Sequence, residues 1–306
     1  MTRRSADLHG IIAAVPTPFT ADGSAIDEAN LRALADHLVA GGLHGVVATG
    51  STGEFNTLSP DEYRDAMRLW VEAVDGRIPV VAGIGSTSTA EAVALAQHAQ
   101  AVGADAVMLL PPFYAPPAWD ALVAFLTAVT GAVDIPAVYY NIPSHTGVSL
   151  TPEQLAQLGD IPGLDYIKDT SGDAVGQGEL LVRHADRITV FNGWDTLTFF
   201  GLASGAKGAV WGVGSIVPEL TVQLWETLAV KGDLVAAREQ WKHLWAISDF
   251  LESVDYAAGI KAGLTIVGRS AGPTRAPSLP LSDADVARFT AILTAAGAVP
   301  GGTPQA

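Results

Sequence analysis

Short runs of consecutive apolar residues alternate along the chain with longer amphipathic stretches. From Gly10 onward there are eight such runs, at Ile11–Val15, Val46–Thr49, Ile78–Ile84, Ala106–Leu110, Ile135–Tyr140, Leu164–Lys168, Ile188–Phe191 and Ala209–Val213. Strands that are buried on both faces read as continuous apolar runs rather than as alternating ones. The pattern therefore predicts a parallel sheet that is covered by helices on both faces.

The stretches between the runs carry helix-start signals. Residues 59–62, 88–91 and 151–154 each place Ser or Thr at the N-cap and Glu or Gln three residues later, and two of these segments have Pro at the first helical position. In a further stretch, Leu31, Leu34 and Leu38 are spaced to share one helical face. These stretches are predicted to be helices that connect the strands.

Strands that alternate with helices in this number are typical of a closed (β/α)₈ TIM barrel, an α/β fold, which we predict for residues 8–230. An open doubly wound sheet is the alternative. After Val217 only helical patterns follow, at Pro218–Val230, Leu234–Leu251, Asp255–Val267 and Ser282–Ala296. They predict the last barrel helix, a small C-terminal helical bundle over residues 231–297 and a flexible tail over residues 298–306.

Composition narrows the classes of function. The 306 residues carry a formal net charge of -15, which argues against a nucleic-acid partner, because phosphate binding depends on clustered Lys and Arg. No apolar run approaches the ~20 residues of a membrane span, and no apolar segment follows the N-terminal arginines. The absence of cysteine excludes disulfides and thiolate chemistry. We expect a soluble, cytoplasmic protein without a membrane partner.

The candidate for covalent chemistry is Lys168. An apolar, β-favouring run leads into it and Asp169-Thr170-Ser171-Gly172 ends the run, so Lys168 is predicted at the carboxyl end of a strand. Because burial disfavours the ammonium form, such a lysine can act as a neutral amine and form a Schiff base with a ketone. The alternative is a strand-end lysine whose charged group merely reaches water.

Other strand ends offer polar groups to the same face of a barrel. The turn Gly50-Ser51-Thr52-Gly53-Glu54 could hold a carboxylate with its amides and hydroxyls, or it could be an ordinary glycine-rich turn. Tyr140 could transfer a proton, although a strand-end tyrosine can also serve only for packing. Asp195 is predicted to be the N-cap of the helix that follows it.

Taken together, these motifs resemble one known family. GSTGE after the second strand, YYNIP after the fifth and IKDTSGD after the sixth are similar to the motifs of the dihydrodipicolinate synthase/N-acetylneuraminate lyase family of Schiff-base aldolases. The resemblance runs from about Leu8 to Leu281. It implies a TIM barrel enzyme whose substrate is a small 2-oxo acid, with no metal or organic cofactor.

The resemblance also implies a role for particular residues. Lys168 would be the Schiff-base lysine and Tyr140 the acid/base phenol. Ser51 and Thr52 would hold the carboxylate of the 2-oxo acid, and Ser51 would hydrogen-bond Tyr140. Tyr114 would reach across a dimer interface to complete the proton relay. Further positions are implied to contact substrate, namely Gly193 and Val210 through their backbone groups. The implied assembly is a homotetramer built as a dimer of dimers.

Substrate identity depends on two departures from the family pattern. His145 stands where dihydrodipicolinate synthases have an arginine for the carboxylate of aspartate semialdehyde, and an imidazole cannot form that bidentate fork. Sialate lyases share the Asn-Gly-aromatic-Asp motif but follow Asp195 with Glu, where this chain has Thr196. We therefore predict a lyase for keto-deoxy sugar acids, with Asp195 and Thr196 as acceptors for hydroxyl groups. The alternatives are a dihydrodipicolinate synthase and a barrel that binds a small acid without catalysis.

Overall fold

Residues 6–300 are described by a computed structural model. Eight parallel strands form a closed barrel in sequence order, so that the last strand pairs with the first. They are β1 Gly10–Ala14, β2 Gly45–Ala48, β3 Val80–Ile84, β4 Ala106–Leu109, β5 Ala137–Asn141, β6 Leu164–Asp169, β7 Thr189–Asn192 and β8 Gly208–Trp211. The predicted TIM barrel is confirmed, and the alternative of an open sheet is wrong.

Helices surround the barrel and continue beyond it. They are α1 Glu28–Ala40, α2 Pro60–Val74, α3 Thr89–Val102, α4 Trp119–Gly131, α5 Pro143–Thr146, α6 Pro152–Gln157, α7 Ala174–Arg183, α8 Thr198–Ala203, α9 Val213–Ile216, α10 Pro218–Trp225, α11 Leu234–Glu252, α12 Tyr256–Ile266 and α13 Asp283–Ala295. Short 3₁₀ segments lie at Phe55–Thr57, Leu158–Asp160 and Asp195–Leu197, and Glu226–Val230 forms a π-helical segment.

The predicted helix starts are present. Ser59 and Thr151 each form a reciprocal capping box with the residue three positions later. Ser88 also accepts from the Glu91 amide, but the Glu91 carboxylate accepts from the Ser86 hydroxyl instead of from the N-cap backbone. Local sequence therefore determines where these helices begin.

The chain end packs further than predicted. Ala298 and Val299 contact the core, and the Ala298 amide donates to the carbonyl of Leu293 at 2.9 Å. The packed part of the chain therefore extends past residue 297. The rest of the predicted tail, residues 301–306, lies outside the described residues.

The apolar core has an inner part and an outer part. Alternate residues of each strand fill the barrel interior, including Ile12, Met108, Tyr140 and Val210. The intervening residues pack outward against the helices. Polar side chains that end the inward-facing rows are consequently brought together at the carboxyl end of the barrel.

Candidate active site

A cavity of about 520 Å³ opens at the carboxyl ends of the strands. It is lined by eight of the residues predicted for the site: Ser51, Thr52, Tyr140, His145, Lys168, Gly193, Asp195 and Val210. Residues that are far apart in the sequence therefore meet at one place, as the barrel topology requires.

Lys168 lies next to last in β6 and only 6% of it is exposed. It is in register with Tyr140 of β5, and its Nζ lies 4.0 Å from the centroid of the Tyr140 ring. A Cβ atom on Gly193 would collide with the Thr170 hydroxyl and with the Lys168 side chain. The absence of a side chain at Gly193 therefore gives Lys168 the room to extend into the cavity.

The hydroxyl groups around Lys168 are not all paired. Ser51 is exposed and Thr52 is buried, and both line the cavity with Tyr140. The Ser51 and Tyr140 hydroxyls form no hydrogen bond with each other in this single chain. The buried Thr170 Oγ1 has no hydrogen-bond partner among residues 6–300. The Ser51 and Tyr140 hydroxyls are therefore free to contact a bound substrate.

A buried polar network fixes the strand ends behind the cavity. Asp169 accepts from Asn141 Nδ2 at 2.8 Å and from Gln177 Nε2 at 3.2 Å. The same Gln177 amide lies 3.2 Å from Asn192 Oδ1, and Asn192 donates to Thr198. Burial raises the pKa of Asp169 above its ordinary value. The network connects β5, β6 and β7 directly behind Tyr140, Lys168 and Gly193.

The turn after β2 is held in an unusual conformation. Thr49 and Glu54 have left-handed backbones, with φ of 54° and 56°, which is costly for residues with a side chain. The Thr49 hydroxyl lies 2.7 Å from the Ala48 carbonyl and 3.0 Å from the Gly83 carbonyl. The turn that carries Ser51 and Thr52 is thus fixed by its own side chains.

Residues of the C-terminal segment hold the same turn through ionic contacts and a hydrogen bond. Glu54 is 2.6 Å from Lys261 Nζ, and both side chains are nearly fully buried. The Glu54 carboxylate also accepts from the Arg275 amide at 3.0 Å, while the Arg275 guanidinium forks onto Glu62. This guanidinium holds the pKa of Glu62 at about 2. Lys261 and Arg275 both lie against the Phe19 ring, at 4.1 and 4.0 Å from its centroid.

Asp195 does not cap the following helix, so that prediction was wrong. Its carboxylate accepts instead from the Tyr256 hydroxyl at 2.6 Å, and it is 6% exposed. Burial raises the pKa of Asp195 to about 7; the Tyr256 hydrogen bond and the Lys168 charge act to lower it, and the Glu252 charge to raise it. Desolvation keeps the pKa of Tyr256 well above its usual value, so its hydroxyl stays a donor.

Three predicted residues differ from the rest in exposure or in hydrogen bonding. His145 lies at the rim on α5, where it is exposed and its Nδ1 is 3.0 Å from the Ser144 hydroxyl. Tyr114 is 90% exposed and does not line the cavity of its own chain. Thr196 is already engaged with Glu252 through its amide and its hydroxyl, both at 2.9 Å.

Sequence reasoning missed several residues that contact the cavity or support it. Tyr256, Glu252 and Thr170 line it, and Lys261 is as buried as Lys168. The first two come from the C-terminal helices, and nothing in their local pattern indicates that they return to the barrel mouth. Lys261 lies in a helical pattern that does not mark it as buried. Its pairing with Glu54 depends on a contact between segments 207 positions apart, which the local sequence does not reveal.

Among residues 6–300, no helix combines the length and the apolar character needed to cross a bilayer. In the same range, no group of three or more His, Asp or Glu side chains is arranged to hold a metal ion.

Comparisons with known proteins show close relatives over nearly the whole chain. A model of the dihydrodipicolinate synthetase family matches residues 7–296. A 4-hydroxy-tetrahydrodipicolinate synthase of Geobacter sulfurreducens is 36% identical over 284 residues, which cover 93% of this chain and 97% of that protein. A DapA-like lyase of Halobacterium salinarum, named as uncharacterized, is 39% identical over 290 residues, 95% of this chain and 94% of its own.

Solved structures agree with the sequence comparisons. YagE, a prophage protein of the dihydrodipicolinic acid synthase family from E. coli K12 in complex with pyruvate, superposes with a TM-score of 0.90 at 30% identity. The match covers 95% of this chain and 99% of that one.

Proposed function

The chain belongs to the dihydrodipicolinate synthetase family, and from that premise we propose that Lys168 forms an imine with pyruvate or a related 2-oxo acid. Members of this family are class I aldolases and lyases that form Schiff bases with pyruvate, so the chain is an enzyme of that class. We further propose that the second substrate, or the cleaved fragment, is a hydroxylated aldehyde, as in keto-deoxy sugar acids.

The proposed reaction starts at Lys168. Its neutral amine adds to the ketone carbon of the 2-oxo acid, water leaves, and a protonated imine forms. The carboxylate of the substrate is held by the amides and hydroxyls of Ser51 and Thr52. The position of Lys168 in the cavity lining, with only 6% of the residue exposed, supports this role, since a ketone bound in the cavity meets its side chain.

Tyr140 is proposed to move the proton in the next steps. Tyr140 gives its proton to the hydroxyl group that leaves as water during imine formation, and the resulting phenolate takes a proton from the carbon next to the imine to give an enamine. The enamine carbon then attacks the aldehyde, while the aldehyde oxygen takes that proton from Tyr140. Water then releases the 4-hydroxy-2-oxo acid and restores Lys168. The reverse sequence cleaves the same bond, and loss of the hydroxyl group would make the reaction a dehydration. The position of Tyr140 beside the Lys168 Nζ supports this role.

The charge of the cavity is the observation that carries the choice of second substrate. Lys168 is the only Lys or Arg among the lining residues of the described chain, whereas Glu54, Asp195, Glu252 and Asp255 all line it. Glu54 is neutralised by Lys261, and the other three acids pair with no basic side chain within residues 6–300. Acid groups accept hydrogen bonds from hydroxyls but repel a second carboxylate.

The second candidate function is 4-hydroxy-tetrahydrodipicolinate synthesis from pyruvate and aspartate semialdehyde. It is favoured by the names of several relatives, at 35–36% identity. Against it stands His145, which is exposed at the rim and lacks the fork of an arginine.

Competing aldehydes separate the two candidates. We expect pyruvate to condense with glyceraldehyde or erythrose more efficiently than with aspartate semialdehyde, measured as kcat/KM. His145→Arg should raise kcat/KM for aspartate semialdehyde by about 10-fold or more, because it restores a charge-assisted pair. Efficient wild-type turnover of aspartate semialdehyde that is damaged by His145→Ala would overturn the sugar-acid proposal in favour of the synthase.

We also propose that the enzyme is a homotetramer in which Tyr114 acts in the site of a neighbouring subunit. Its 90% exposure and its place in the stiff loop 111–117 support a contact with a second copy.

A further inference from the structure

Tyr256 belongs to a C-terminal helix outside the barrel, and it lines the cavity at the carboxyl ends of the strands. It is the first residue of α12, after Asp255 at the N-cap, and its ring lies against the end of β8. A Cβ atom on Gly212 would collide with the Tyr256 hydroxyl. The missing side chain at Gly212 thus makes the space that this phenol occupies.

The Tyr256 hydroxyl binds only one of the two carboxyl oxygens of Asp195. Tyr256 donates to Oδ2, and no residue within 6–300 forms a hydrogen bond with Oδ1. The buried indole N–H of Trp211 lies near this carboxyl but outside hydrogen-bonding geometry. Oδ1 is therefore an acceptor, or a donor when protonated, for a group in the cavity.

Glu252 fixes the segment that carries Asp195. Its two carboxylate oxygens accept from the amide and the hydroxyl of Thr196, the residue directly after Asp195. Both oxygens are thereby occupied, so Glu252 holds the position of Asp195. The C-terminal helices thus determine the orientation of Asp195 from two sides, through Tyr256 on α12 and Glu252 on α11.

We infer that Tyr256 is a specificity-determining residue, which together with Asp195 binds a hydroxyl group of the second substrate. The inference rests on the proposed function, because it concerns the aldehyde that meets the Lys168 enamine. The phenol holds Oδ2 and fixes the carboxyl plane, so that Oδ1 meets a hydroxyl at a defined position. An aldehyde that lacks this hydroxyl forms no hydrogen bond with Asp195, so its kcat/KM does not depend on Tyr256.

The test compares two aldehydes of equal carbon number, glyceraldehyde and propanal, in condensation with pyruvate. Tyr256→Phe keeps the ring and removes the donor. We expect it to lower kcat/KM for glyceraldehyde by about 10- to 100-fold and to change that for propanal by about twofold at most. Trapping of the pyruvate imine by borohydride should be unchanged, because Lys168 is intact.

Two further variants strengthen the test. Gly212→Ala should displace the phenol and reproduce the selective loss for glyceraldehyde without removing either polar group. Tyr166→Phe is the matched control, since the Tyr166 hydroxyl donates to Ala6 at the other end of the barrel. It should leave both aldehydes unaffected.

The pH profile separates positioning from simple packing. Asp195 is surrounded by Tyr256, Glu252 and Lys168. The Tyr256 hydrogen bond lowers the pKa of Asp195. In the plot of kcat/KM for glyceraldehyde against pH, Tyr256→Phe should therefore move the limb that reports the ionisation of Asp195 to higher pH.

The outcomes are distinguishable. Equal losses for both aldehydes, or no loss for glyceraldehyde, would overturn the inference while leaving the imine mechanism in place. Absence of a trapped pyruvate adduct in the wild type would overturn the proposed function, and the inference with it.

Discussion

At the scale of single residues, the proposed chemistry depends on the contact between Lys168 and Tyr140. The two side chains are in register on β6 and β5, and the Nζ lies 4.0 Å from the ring centroid. Gly193 gives Lys168 its space, and the polar network of Asp169 and Asn141 holds the two strand ends. Reactive groups are thereby positioned before a substrate binds, which is the condition for efficient acid and base catalysis.

Tyr140→Phe should slow turnover by about 10²–10⁴-fold while imine formation stays measurable, because it removes one proton donor and little volume. Steady-state rates and borohydride trapping measure the two effects separately. Tyr139→Phe is the matched control. Tyr139 is the preceding residue, packs outward in the core, and its hydroxyl has no partner among residues 6–300. Undiminished turnover in Tyr140→Phe would assign the proton transfer to another group.

The roles of residues that depend on the neighbouring sequence were predictable. The roles that depend on a contact with a residue far away in the sequence were not. Lys168 and Tyr140 could be placed from the sequence because each ends an apolar run whose next residues break a strand. Asp195 was wrongly predicted to be a helix cap. Its partner Tyr256 lies 61 positions away, and short-range patterns contain no information about that contact.

At the scale of elements, the C-terminal helices support the substrate-binding turn. Glu54 ends the turn after β2 and pairs with Lys261 of α12, and both are buried. Lys261 also donates to the Pro273 carbonyl at 2.7 Å. The helix starts were predictable from their caps, whereas the contact of α12 with the turn after β2 was not, because it depends on charges brought together only by folding.

Lys261→Met should destabilise the protein by about 3–5 kcal/mol, because it leaves the buried Glu54 carboxylate without an opposite charge. Urea unfolding measures the change. The double variant Glu54→Gln/Lys261→Met should recover part of the loss by removing the uncompensated charge. Lys242→Met serves as the control, since Lys242 pairs with Glu239 at the surface. A Lys261→Met protein as stable as the wild type would show that the buried pair contributes nothing.

At the scale of the whole molecule, closure of the barrel brings all the candidate groups to one end. The number and order of the strands followed from eight apolar runs, because each run is long enough for a strand and too short for a helix of the core. The oligomeric state, in contrast, depends on contacts between several copies of the chain. Tyr114 is exposed and does not line the cavity of its own subunit, and its proposed role requires a second copy.

Complementation between inactive variants tests this role of Tyr114. Tyr114→Phe and Tyr140→Phe should each lower turnover, and mixed oligomers should regain part of it. In a mixed oligomer, one subunit supplies an intact Tyr140 and its neighbour supplies an intact Tyr114. Activity is measured after the two proteins are dissociated and reassembled together, with size-exclusion chromatography and light scattering to establish the oligomeric state. A monomeric active enzyme, or no recovery in mixed tetramers, would contradict an action of Tyr114 across subunits.

Reduction of the enzyme with borohydride in the presence of pyruvate tests the central claim most directly. A single reduced pyruvate adduct is expected on Lys168, located by peptide mass spectrometry, and Lys168→Arg should show none. The buried Lys261 provides an internal comparison, because it is held by Glu54 and lies outside the cavity lining. An adduct on Lys261 or on another lysine, or no adduct in an enzyme that turns over its substrate, would contradict the Schiff-base account.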